Sequence, residues 1–175
     1  TALAIQLKEQ LTVERILERE EEQIRIVMDS LATADNIFVL APENRNRLCV
    51  FSFIIKGLHQ LLAVRMLNDR FGIQVRGGCS CAGTYGHFLF GIDEATSCSI
   101  IDEVEKGNNM AKPGWVRMSV HPVMNNEELA FICNAIKELA ANHTEWSKDY
   151  HISQGGEITC LVGKEPVVQT IFRPL

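Results

Sequence analysis

The chain has 175 residues, 46% of them hydrophobic, and a formal net charge of −5. That length is one domain-sized unit with enough apolar residues for a core. The acidic balance, with no basic stripe interleaved with aromatics, argues against a nucleic-acid partner.

No apolar run approaches the roughly 20 residues that cross a bilayer, and no signal-peptide pattern opens the chain. The expectation is therefore no membrane partner. Cysteines 49, 79, 81, 98, 133 and 160 are scattered, mostly through apolar segments. They read as reduced thiols of a cytoplasmic protein rather than a secreted disulfide framework. Thr1-Ala2-Leu3-Ala4 enters a helical pattern with no initiator Met, as a fragment of a larger protein would.

Leu3, Leu7 and Leu11 recur every four residues and predict a short amphipathic helix. A second helix is expected over residues 13–32, with Leu17, Ile24, Val27, Met28 and Leu31 on its apolar face. The acidic run at residues 18–22 reads as its solvated side, with Glu21 and Arg25 paired at i,i+4. Ile37-Phe38-Val39-Leu40 is a strand pattern stopped by Ala41-Pro42. Residues 48–55 form a longer β-branched and aromatic run, expected as a central strand. Leu58, Leu61, Leu62, Met66 and Leu67 mark a helix ending at Gly72, with His59 read as a surface residue near its start.

A strand at residues 73–76 is expected to deliver the most informative stretch, a loop over residues 76–85. It opens on a fixed cation, Arg76, and carries two thiols, Cys79 and Cys81, among Gly77, Gly78 and Gly83. Arginine offers a planar fork for a carboxylate. Glycines let a backbone approach a ligand closely, and a thiol near a guanidinium can become a better nucleophile. Taken singly, each feature has a plainer reading: a turn, a solvated arginine, or cysteines packed as small hydrophobes.

Beyond the loop, Asp93 is expected to cap a helix ended by Gly107. Trp115 to His121 alternates as a strand with one wet face, and Asn125 with Glu128 forms a capping box for a helix ending near Asn142. A hairpin is expected between residues 158–162 and 167–172. Irregular alternation of helices and strands favours an α/β sandwich, an α+β arrangement with a small mixed or antiparallel sheet.

Arg76-Gly77-Gly78-Cys79-Ser80-Cys81-Ala82 resembles the Arg-x-Gly-x-x-Cys-Ala substrate loop of class V, fold-type-I pyridoxal-phosphate enzymes, above all cysteine desulfurases and selenocysteine lyases. Phe71-Gly72-Ile73-Gln74-Val75 resembles their lead-in, and Pro113-Gly114-Trp115-Val116-Arg117-Met118-Ser119 the strand that follows. The likeness covers about residues 3–142 and matches in order the C-terminal small domain of such enzymes. Residues 1–142 would form that domain and residues 143–175 an extension.

The resemblance implies that Arg76, with Gly78, binds the α-carboxylate of an amino-acid substrate. It makes Cys81 the catalytic thiolate that takes substrate sulfur, with Cys79 and His87 as accessory candidates. It implies pyridoxal phosphate as cofactor and a homodimer as assembly. None of the seven lysines stands in the Ser-x-x-His-Lys context that carries this cofactor. A large cofactor-binding domain of the same polypeptide is therefore expected outside this chain, and the chain by itself is expected to be inactive. Gly83-Thr84-Tyr85 stands where the desulfurases usually place a Pro, so an aminotransferase without a cysteine nucleophile remains open. A metal or redox module built on Cys79, Cys81, Cys98 and His87 is a third reading.

Overall fold

The stretch Val50–Ile55 shows how the fold is built. Phe51, Phe53 and Ile55 are buried, while Val50, Ser52 and Ile54 between them are only half-buried. A period of two with one wholly apolar phase places one face of a strand on a core. The computed structural model describes residues 2–79, 83–153 and 155–162, and over these the chain is a mixed α/β fold with small antiparallel sheets.

In chain order the elements are α1 (Ala2–Leu11), α2 (Val13–Leu31), β1 (Ile37–Val39), β2 (Val50–Ile55), α3 (Gln60–Phe71) and β3 (Arg76–Gly78). Then come α4 (Gly83–Leu89), α5 (Glu94–Glu105), β4 (Trp115–Ser119), α6 (Asn126–Trp146), β5 (Tyr150–Ile152) and β6 (Ile158–Cys160). The main sheet has the order β1-β2-β4-β3, with every neighbouring pair antiparallel. α2, α3 and α6 pack on its apolar face, where Val27, Leu31, Met66, Leu67, Leu129 and Ile136 meet Phe51, Phe53, Val116 and Met118. Each fully buried side chain of this size contributes about 1.5–3 kcal/mol. No helix among the described residues is long and apolar enough to cross a membrane.

Several local signals act as read. Asp93 accepts from the Thr96 N–H at the start of α5, Gly72 ends α3 at φ 68°, and Asn125 and Glu128 form a reciprocal capping box. Others are corrected. The strand expected at residues 73–76 lies instead at Arg76–Gly78, because the register with Trp115–Arg117 continues the ladder through both glycines. The loop of residues 76–85 is accordingly shorter, since α4 begins at Gly83. Leu17 is half exposed, and in place of a Glu21–Arg25 pair, Arg19 binds Glu22 and reaches the Met124 carbonyl.

His59 is not a surface residue. It is half-buried and caps α3 by accepting from the Leu61 N–H, and burial lowers its pKa. α6 runs past Asn142 to Trp146, where Arg70 stacks on the indole at 4.2 Å and pairs with Asp149. Residues 158–160, expected to open a hairpin with residues 167–172, pair as β6 with β5 before them. Residues 167–172 lie outside the described residues.

Candidate substrate face and thiol cleft

Strand alternation decides which side chains leave the core. Val116 and Met118 point into it, so Arg117 between them points to the opposite face, the one α2, α3 and α6 leave uncovered. Ser52 of β2 is Arg117's partner on one side and Arg76 of β3 its partner on the other. Residues directly opposite in an antiparallel pair share a face, with Cβ atoms about 4.5–5.5 Å apart. Two arginine side chains thus leave the same face from directly opposed positions. Like charges opposite each other are unfavourable, and among the described residues neither arginine forms an ion pair. An anion between them would turn that repulsion into attraction.

Arg117 was not among the expected site residues. A charged side chain inside an otherwise apolar strand is a signal, but only the register makes it a partner of Arg76.

Gly78 adopts φ +115°, a region L side chains rarely enter, and turns the chain out of β3. Gly77 is needed for a different reason. A Cβ there would lie 3.2 Å from both the Gln60 carbonyl oxygen and Val64 Cγ2, so glycine lets α3 sit against the strand.

On the helix side of β3 lies a cleft of about 840 Å³ bordered by Gln60, Gly78, Cys79, His87, Val104 and Gly156, among others. Gly78, Cys79 and His87 therefore share one cavity, which Arg76 does not border. The Cys79 thiol donates to the Pro113 carbonyl at 2.7 Å, and burial pushes its pKa up. His87 Nδ1 is 2.9 Å from Ser97 Oγ. Cys81, the expected nucleophile, lies outside the described residues.

No group of three His, Cys, Asp or Glu side chains among the described residues could hold a metal ion. Cys98 is exposed. Nor do the described residues fit a pyridoxal-phosphate cradle. Lys8, Lys56, Lys106, Lys112 and Lys148 are exposed, and Lys137 is half-buried on α6. Only Lys112 borders the cleft. Lys164 is not described.

The family model for aminotransferase class V matches residues 1–131 of this chain. The match takes in Arg76, Gly78, Cys79, Cys81, His87 and Arg117, and stops before the β5–β6 hairpin. No curated protein sequence matches the chain.

Proposed function

The chain belongs to the class V aminotransferase family, whose members generally depend on pyridoxal phosphate, and from that premise we propose that it is the substrate-clamping small domain of an amino-acid enzyme. Its reaction in this reading is desulfurase-like sulfur transfer through Cys81. The observation that carries the clamp is the pairing of Arg76 and Arg117 across β3 and β4, on the sheet face the helices leave free. A substrate α-carboxylate between two guanidinium forks gains charge-assisted hydrogen bonds from both.

The Cys81 thiolate would attack the substrate's sulfur, forming a sulfur–sulfur bond. The carbon–sulfur electron pair stays on the substrate carbon, which takes up a proton. Pyridoxal phosphate, held by a lysine of a large domain of the same polypeptide, would delocalise that pair until the carbon is protonated. Residues 1–142 are the small domain in this reading, and residues 143–175 are an extension. Tyr150, Ile152 and Ile158 of that extension pack on the main core. A homodimer agrees with what is typical of the family. A cytoplasmic setting agrees with the free thiols of Cys49, Cys79, Cys98, Cys133 and Cys160.

The test is made on the cofactor-loaded protein with cysteine as substrate and a dithiol to discharge the persulfide. Cys81→Ser is expected to abolish sulfide release while cysteine still binds. Undiminished turnover in Cys81→Ser, with the amino group passing to a keto acid, would overturn sulfur transfer in favour of aminotransfer.

A further inference from the structure

Two thiols stand one residue apart in the sequence, and the surroundings of the first, Cys79, are described. Cys79 is the first residue beyond the β3 ladder, which ends at the pair Gly78–Trp115. With Gly78 at φ +115° the backbone leaves the sheet at that point. The Cys79 side chain then takes over from the backbone, because its S–H donates to the Pro113 carbonyl on the lead-in to β4.

That acceptor is itself held. Gln60, only 6% exposed, donates from Nε2 to the neighbouring Lys112 carbonyl at 3.2 Å. Gly114 packs so closely that a Cβ on it would lie 2.8 Å from Gly78 Cα and 3.0 Å from Gln60 Nε2. The sulfur also lies against the helix that follows the loop. A Cβ on Gly86 of α4 would come to 3.4 Å from Cys79 Sγ and 3.5 Å from the Trp115 ring. Cys79 itself ends the flank before Cys81, and its one side chain touches both the lead-in to β4, which lies beside that end of β3, and α4, the flank after Cys81.

We infer that Cys79 is a positioning residue, whose thiol ties the end of β3 to Pro113 and to α4 and so sets where Cys81 is presented. This rests on the sulfur-transfer reading of Cys81. Donation to a carbonyl requires the protonated thiol, and burial, which raises its pKa, keeps it in that form. A sulfur carrier needs the opposite, an accessible thiolate. Serine at position 79 keeps a donor, and its shorter side chain sets the hydroxyl farther from the carbonyl than the sulfur sits. Alanine removes the donor.

The experiment compares wild type, Cys79→Ala and Cys79→Ser in the cofactor-loaded protein, by hydrogen exchange of peptides covering residues 74–79 and 83–90 and by sulfide-release kinetics. In Cys79→Ala, exchange is expected to quicken several-fold in those two peptides alone. Misplacing the thiol should lower kcat about tenfold to a hundredfold with KM unmoved. Cys79→Ser is expected to restore both. Unchanged exchange in Cys79→Ala, a serine variant no better than alanine, or sulfane sulfur found on Cys79 of the wild type would each overturn the assignment. If exchange responds and serine rescues it while wild type releases no sulfide, the positioning role stands and the sulfur-transfer reading falls.

Discussion

Arg76 and Arg117 are the residues whose chemistry depends most on being neighbours. Replacing either by lysine keeps the charge but loses the planar fork, so amino-acid binding should weaken by about 1–3 kcal/mol. The free protein should not lose stability, because Arg76 is exposed and lysine keeps the aliphatic stem that the half-buried Arg117 packs. Calorimetric titration and thermal melts of Arg76→Lys and Arg117→Lys check this. Unchanged affinity with a sharply lower Tm would make them structural. Gly114 gives the contrasting case, in which geometry rather than charge is limiting. Gly114→Ala would force a Cβ to 2.8 Å from Gly78 Cα, and overpacking of this kind costs about 1–3 kcal/mol. Denaturant titration should show that loss even without substrate.

Among the elements, α6 is one whose beginning was fully legible. Asn125 accepts from the Glu128 N–H while the Glu128 carboxylate accepts from the Asn125 N–H, each at 2.8 Å. Asn125→Ala should therefore cost about 1 kcal/mol, seen as a lower denaturation midpoint with the slope unchanged. Its end was not legible. The helical pattern continues four residues beyond Asn142, and Trp146 finds its partner in Arg70 of α3, a residue distant in sequence. β3 shows the same limit. Ile73 to Val75 have the side chains of a strand, yet pairing begins at Arg76. Hydrogen-bond register with β4 decides that, and register is a property of two segments together.

At the scale of the whole molecule, burial of thiols and a phenol sets the response to alkali. Burial, reinforced by the nearby Glu20 carboxylate, pushes Cys49 from 9.0 up to about 11. Burial, with the nearby Asp69 carboxylate, pushes Tyr150 from 10.0 up to about 12. Both groups are neutral acids whose folded pKa exceeds the unfolded value. Their contribution is therefore whole below about pH 9 and is lost as pH rises, through the window up to about 11 for Cys49 and about 12 for Tyr150. Stability measured by denaturant should fall steadily above pH 9. Cys49→Ala should flatten the lower part of that decline while lowering stability at pH 7, since the Glu20 carbonyl and Gln23 Oε1 lose the thiol donor they share.

Most of the helices and strands, and the caps at Gly72, Asp93 and Asn125, were written locally, whereas α4 and β5 were not read from the sequence. A 3.6-residue or two-residue period, a capping side chain and a C-terminal glycine act over a few residues and need no knowledge of the rest. The Arg-Gly-Gly-Cys-Ser-Cys-Ala run likewise pointed by itself to the class V family that the match over residues 1–131 shows. Tertiary structure alone decided that Arg117 faces Arg76, that Cys79 and His87 share a cleft, and that β5 and β6 pack onto the core. Each of these is a meeting of distant segments, set by strand register and by shared burial, and no short window of sequence contains both partners.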